Sequence, residues 1–299
     1  MRNTIAVMNT KGGVGKSTLV LAISETLSAQ FGKNVLVIDS DAQASVSLMM
    51  MTAGSLNKLQ VEGLTIVDLL VSNVLKDQPV DWTRFAVAGV SDVEEARSVY
   101  LIPSDMQLTL FEREVAQEKL LSRMRLAVGA LLTSVRGVFD VVLIDCPPGL
   151  SVLTESWLRE ADFYISPTKP DHICVYALEV FNHFKGLNPE MGFAENLGVL
   201  INMQDMRSKT DTEFQQRLMS VKENRCFSQV VPRTNALQHA THFRTTDRLY
   251  ESKYPGDSGV ALRNLCLELV DRLDEANAAA GRSPAQSVAS PPRQVPGAT

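Results

Sequence analysis

The sequence predicts an α/β fold with a mainly parallel, twisted sheet and helices on both faces. Three observations predict it. Short apolar runs alternate with longer amphipathic stretches. Most of the short runs are near-continuous in Val, Ile, Leu and Phe, as in strands buried on both faces. A glycine-rich segment, Lys11–Thr18, joins the first short run to the first amphipathic stretch.

The elements follow in order. Thr4–Met8 reads as a strand, and Lys16–Gln30 as a helix with Leu19, Ile23 and Leu27 on one face. Asn34–Ile38 and Val99–Ile102 read as further strands. Between them, Ala53–Asp92 reads mostly as loops, with one helix over Gly63–Val74. A long helix is expected over Leu108–Arg136. Strand Asp140–Ile144, helix Val152–Glu160, strand Asp162–Ser166 and helix Val175–Lys185 continue the alternation. Strand Leu197–Ile201, helix Thr210–Lys222, strand Ser228–Val231 and helix Val260–Ala276 complete it. No repeat of 20–50 residues is present. Residues 1–280 read as a single domain. Gly281–Thr299 carries four prolines and only Val288 and Val295 as large apolar residues. Such a tail buries too little surface to offset chain entropy and is expected to be disordered.

Composition narrows the function classes. With 45% hydrophobic residues, the 299-residue chain can bury a full core. The net charge of −5 excludes a generally basic nucleic-acid coat but leaves room for a local basic patch. Cys146, Cys174, Cys226 and Cys266 form no CxxC pair, so reduced, mostly buried thiols are expected. The glycine-rich segment begins too close to Met1 for a signal peptide. No apolar run approaches the roughly 18–20 residues that cross a bilayer. A soluble, cytoplasmic protein is the expectation.

The segment Lys11-Gly12-Gly13-Val14-Gly15-Lys16-Ser17-Thr18 has the chemistry of a phosphate cradle. Glycines let several backbone N–H groups converge on one anion, and the following helix adds its N-terminal dipole. Lys16 is placed for the β- and γ-phosphates of ATP, and Ser17 for Mg²⁺. The strand–loop–helix context identifies a P-loop NTPase. The usual pattern would place a glycine at Thr10, and a second lysine, Lys11, opens the loop instead.

Two later segments supply carboxylates. Asp39-Ser40-Asp41 ends the second strand, where ligands of parallel sheets bind. One of the two aspartates would hold Mg²⁺ or its waters and the other the attacking water; capping or a turn is the alternative. Asp145 ends the strand Val141–Ile144 and would face Mg²⁺, beside the rigid turn Cys146-Pro147-Pro148-Gly149.

With these segments in hand, the chain resembles the ParA/MinD family of deviant Walker-type ATPases. The resemblance rests on Lys11–Thr18, on Val37–Gln43 and on Phe139–Pro148. Looser matches lie at Ile165–Pro170, Asp205–Arg207 and Val231–Arg233. It implies an ATP-driven homodimer in which Lys11 reaches the partner's ATP. It implies that Lys16 and Ser17 bind the phosphates and Mg²⁺, that Asp41 positions the hydrolytic water, and that Asp145 lies near Mg²⁺. The adenine pocket is implied around Asn202, Pro232 and Arg233. Ala42 replaces a proline usual in ParA proteins. Ala236 replaces an arginine that helps many chromosomal ParA proteins bind DNA. Arg207 matches a DNA-contacting arginine.

Between Arg207 and Arg263, ten Lys/Arg stand against six Asp/Glu. Arg207, Lys209, Arg244, Arg248 and Lys253 are the candidates for non-specific phosphate contacts with double-stranded DNA, a solvated charged face being the alternative. No helix-turn-helix precedes the loop, so operator reading is not expected. A nucleoid-associated ATPase stimulated by a ParB-type partner is the first functional expectation. A MinD-like membrane ATPase is the second, set back by a tail without an apolar face. A metabolic P-loop enzyme, such as an iron–sulfur-linked reductase or an amide-forming ligase, is the third. Met49–Met51 is expected to pack in the core, with partner contact as the alternative.

Overall fold

The computed structural model describes residues 2–79, 81–116 and 118–281, without the side chains of Glu118 and Lys119. The expected tail lies, but for Gly281, outside the described residues. Strand β1 (Thr4–Val7) enters the glycine-rich loop, which opens helix α1 (Lys16–Phe31), and β2 (Val35–Asp39) follows. Three short helices come next: α2 (Ser45–Met50), α3 (Ala53–Val61) and α4 (Ile66–Val74). Then come β3 (Val87–Ala88), β4 (Val99–Ile102), α5 (Leu108–Val115), α6 (Glu118–Val135) and β5 (Val141–Asp145). The second half runs α7 (Val152–Glu160), β6 (Phe163–Thr168), α8 (His172–Leu187), β7 (Glu195–Gln204) and α9 (Lys209–Ser220). It closes with β8 (Val231–Pro232), α10 (Asn235–Ala240), α11 (Tyr250–Lys253) and α12 (Asp257–Ala279).

The sheet has the order β3-β4-β2-β5-β1-β6-β7-β8. All pairings are parallel except β3 with β4. Successive residues of one strand feed opposite faces, as the pleat requires. Ile5 and Val7 join a cluster with α1 and α12, whereas Ala6 and Met8 join another with α4, α6 and α7. This two-sided burial is why the strands read as continuous apolar runs. The chain winds from β1 toward β2 and β4, returns to β5, and then crosses to β6, β7 and β8. The reversal occurs at β1, so the open crevice lies beyond its carboxyl end, where the glycine-rich loop begins.

Several sequence expectations needed correction. The stretch 108–136 is two helices. Leu108, Phe111 and Val115 are buried in the first, and Met124, Ala127, Val128, Leu131, Leu132 and Val135 in the second. From Val115 to Met124 the apolar phase turns by about half a revolution at 3.6 residues per turn. One straight helix could not present both sets to the core. The span 53–92 holds two helices, α3 and α4, and the antiparallel edge strand β3. Met50 and Met51 are buried and Met49 packs against the core, which is the packing role. The last strand is short because Pro232 offers no N–H to a ladder.

A buried charge cluster ties α1 to the C-terminal segments. The Glu25 carboxylate accepts from Lys253 Nζ (2.7 Å), Tyr254 Oη (2.6 Å) and Ser91 Oγ (2.7 Å). Asp92 accepts from Lys253 Nζ (2.6 Å) and the Arg244 backbone N–H (2.9 Å) and forms an ion pair with the Arg248 guanidinium (2.9 Å). The Lys253 side chain is fully buried, and that of Arg248 is 9% exposed. The cluster contradicts the expected DNA role of both residues, since their charges face carboxylates inside the protein. Two cations balance two anions, and each carboxylate also takes neutral donors, which is what makes such burial tolerable. Lys253→Met leaves Glu25 without a cation and Asp92 with Arg248 alone; we expect a loss of about 3–5 kcal/mol, read from urea unfolding. A loss below about 1 kcal/mol would place the lysine in the surface class instead.

Candidate functional site

The glycine-rich loop closes on left-handed backbone. Gly13 (φ +74°) and Gly15 (φ +88°) adopt angles that side chains rarely take, and Gly15 stands at the N-cap of α1. A Cβ on Gly15 would also strike the Asn202 amide. Val14 is fully buried and pins the loop's middle. Gly12, Gly13 and Lys11 are exposed, while Gly15, Ser17 and Thr18 are half-buried. Lys16 is 7% exposed. The turn after β5 abuts the loop, with Pro148 Cβ 3.8 Å from where a Gly12 Cβ would sit.

Two buried amides hold this loop. Asn9 Nδ2 donates to Pro167 O (2.7 Å) and Thr168 Oγ1 (3.0 Å), and its Oδ1 accepts from Lys11 N–H (2.8 Å). Asn202 Nδ2 donates to Val14 O (2.8 Å). The sequence reading missed Asn9. Its signal was a lone amide at the end of an apolar strand, a place where a polar group must find partners. Asn202 is expected at an adenine pocket; its amide donor fastens the phosphate loop. Pro232 is half-buried and Arg233 exposed, and the Arg233 N–H donates to Gln204 O (2.9 Å), so both stay beside β7.

The carboxylates converge by strand register. Asp39 pairs with Asp145 across β2 and β5, and Asp145 pairs with Val7 across β5 and β1. Both side chains are fully buried. They part in their bonding. Asp39 Oδ2 accepts from the Ser47 N–H (3.0 Å) and Oγ (2.6 Å), and Oδ1 accepts from the Asp41 N–H (3.1 Å). It therefore caps α2 and closes the Asp41 turn. That is the capping role, taken by the same side chain that the sequence places at the metal. Both Asp145 oxygens lack a hydrogen-bond partner of good geometry. The Ser17 hydroxyl and the Lys16 ammonium lie close enough to draw its proton affinity down, without closing a well-formed bond.

Burial and mutual repulsion dominate the titration. Burial pushes Asp39 up to about 6, against which its bonds to Ser47 and Asp41 act. Burial, and then the neighbouring Asp39 charge, hold Asp145 well above the ordinary carboxylate range. Among the described residues no group of three His, Cys, Asp or Glu side chains could hold a metal alone. A cation here would need oxygens from a ligand or water as well. The orphaned Asp145 oxygens beside the Ser17 hydroxyl fit such a shared site.

Asp41 is half-buried, and its Oδ1 accepts from the Gln43 N–H (2.9 Å) in a local turn. Ser40 behind it is fixed by Trp157 Nε1 (2.6 Å), deep in the core. The tie from Asp41 N–H to Asp39 keeps this aspartate at the crevice.

The profile of the AAA_31 family, described as "AAA domain", matches residues 2–189. The chain belongs to this family of AAA domains. The chromosome partitioning protein ParA of Caulobacter vibrioides is 28% identical over 274 residues, covering 90% of this chain and 94% of that protein. Cobyrinic acid a,c-diamide synthase from Mycobacterium smegmatis, with bound ADP and magnesium, superposes with a TM-score of 0.69 at 22% identity, over 92% and 97% of the two chains. A putative plasmid partition protein from Borrelia burgdorferi bound to AMPPNP gives 0.69 at 21% identity, over 91% and 99%. The likeness to the ParA/MinD ATPases thus extends over most of the chain, and the fold is that of P-loop NTPases.

Three candidate DNA contacts remain outside the buried cluster. Arg207 is 93% exposed and faces Asp205 at 3.5 Å. Lys209 opens α9 and is exposed. The nearby charges of Arg207 and Arg233 help lower the Asp205 pKa, after the Arg207 N–H bond. Arg244 is exposed but hangs from Asp92 by its backbone, on the α1 and α11 side. The basic residues therefore divide between two places. Among the described residues no helix is long and apolar enough to cross a membrane.

A carboxyl whose pKa rises on folding holds a proton that the unfolded chain releases. Its stability contribution is full below the unfolded value of 3.8 and is lost as pH climbs through the folded value, about 6 for Asp39. The nucleotide-free protein should therefore lose on the order of 5 °C of thermal midpoint between pH 5 and pH 8. Asp145→Asn should flatten that decline. A midpoint that rises over this range, measured by calorimetry without nucleotide, would contradict the assignment.

Proposed function

We propose that this protein is a ParA-type ATPase that dimerises on ATP, holds non-specific DNA and positions a cargo. The observation that carries the reading is the division of labour between the loop's two lysines. Lys16 is buried and lies near Asp145, whereas Lys11 is exposed at the other end of the loop. One suits the chain's own triphosphate and the other a second copy's.

Lys16 and the loop N–H groups bind the β- and γ-phosphates of ATP. Ser17 and Asp145 would hold Mg²⁺, which neutralises phosphate charge when bound. Asp41 orients the attacking water at the crevice. Val14, pinned by burial and by Asn202, keeps the loop from collapsing when phosphates leave. Little covalent chemistry falls to the protein, so positioning and electrostatics do the catalysis. Slow intrinsic turnover follows, with a partner of ParB type or its equivalent supplying the rest of the rate.

Arg207, Lys209 and Arg244 are the contacts proposed for DNA, by phosphate attraction rather than base reading. Double-stranded nucleoid DNA is the proposed track and the cytoplasm the proposed compartment. The sequence likeness to the Caulobacter partitioning protein supports this branch over a metabolic one.

Asp41→Ala should keep ATP binding while slowing hydrolysis about tenfold or more, trapping the dimer. Lys16→Ala should abolish nucleotide binding. Normal turnover by Asp41→Ala in a phosphate-release assay would remove that residue from the water-positioning role. Retention on arbitrary duplex DNA should require ATP and fade steeply with salt. No ATP-dependent retention at low salt would sink the DNA half of the proposal.

A further inference from the structure

A cavity of about 300 Å³ opens beside the phosphate loop, lined by Lys11, Gly12, Lys169, Asp171 and His172 among others. It sits at the small end of ligand pockets, with room for the phosphate end of a nucleotide rather than all of it. Two lysines contribute to its wall. Among the described residues neither forms an ion pair with a carboxylate. The lining carboxylate, Asp171, accepts the Cys174 N–H (2.8 Å) as the cap of α8. Its backbone N–H donates to Lys169 O (2.9 Å), which tightens the turn that carries Lys169.

The two lysines also share one support. Asn9, 3% exposed, grips Pro167 and Thr168 with its amide nitrogen and the Lys11 N–H with its oxygen. A single planar amide thus sets the residue before Lys169 and the backbone of Lys11 in fixed relation. Two lysines against one carboxylate give the cavity wall a net positive charge, which suits an anion. The loop itself is a phosphate cradle, which names the anion.

We infer that Lys169 is a second phosphate-binding cation of this ATPase, acting with Lys11 on the terminal phosphate of ATP, and that Asn9 is the positioning residue for the pair. The inference rests on the ATPase reading above. On that reading the phosphate belongs to a second copy's nucleotide, and the chain's own nucleotide is the other source that the test separates.

The test is titration of the full chain with fluorescent ATP and ADP, alongside turnover, over a range of protein concentration. Lys169→Gln should weaken ATP binding about tenfold, about 1.4 kcal/mol, while ADP binding stays within about twofold. Lys169→Arg should restore most of the loss. A loss at every protein concentration identifies the chain's own phosphate; a loss confined to concentrations that form dimers identifies the second copy's. Asn9→Ala should reproduce the ATP-selective loss and add little to Lys169→Gln. A merely structural Asn9 would instead weaken ATP and ADP equally and lower the thermal midpoint. Lys169→Gln indistinguishable from the unaltered chain in ATP binding and turnover overturns the inference, provided Lys16→Ala abolishes binding. If the unaltered chain binds no ATP, the ATPase reading itself fails.

Discussion

Two buried asparagines hold the phosphate loop, and the rest of the site depends on them. Asn9 ties the loop's first lysine to the end of β6, and Asn202 ties its middle to β7. A glycine-rich loop has the most backbone freedom to lose, so an open, anion-ready shape needs outside support. Side-chain amides suit the task because each is rigid and can be fully satisfied in a dry place. Asn9 follows β1 and reaches β6, and Asn202 stands on β7, so both supports lie on one side of the sheet. The carboxylates arrive from the other side, on β2 and β5. The loop is thus held from one flank and faced with acid from the other.

The protein buries two sets of charged groups, and their contrast separates scaffold from site. Glu25, Asp92, Arg248 and Lys253 neutralise one another and leave each carboxylate well bonded. Asp39 and Asp145 are like charges on facing strand positions, and Asp145 keeps two orphaned oxygens. A closed set of pairs fixes how α1 sits against α11. An open set costs stability until a cation or proton arrives. The second arrangement suits a place where a cation or proton binds.

The same contrast explains how the surface charges were misread. The excess of basic residues after Arg207 is real in the sequence, but two of the five candidates point inward. Lys253 meets carboxylates more than 160 positions away in the chain, and no local pattern announces a pair of that range. Asp39 is ambiguous in the sequence for a related reason. An aspartate at a strand end serves as a metal ligand or as a cap according to what folds over it, and here α2 does.

What the sequence by itself determined was the set of segments whose signal is local. Apolar runs gave the central strands, because burial on both faces leaves no polar positions in them. The octet from Lys11 to Thr18 gave the phosphate loop, because few residue types can adopt its backbone. Tertiary structure alone decided the break between α5 and α6, since only the core fixes which phase of apolar residues must face it. It alone decided that Asn9 reaches across to β6, that Asp39 bonds Ser47, and that Lys253 lies inside. Each is a contact between residues distant in the chain or poised between two local roles. Such contacts follow from strand order and register, which a reading along the chain cannot supply.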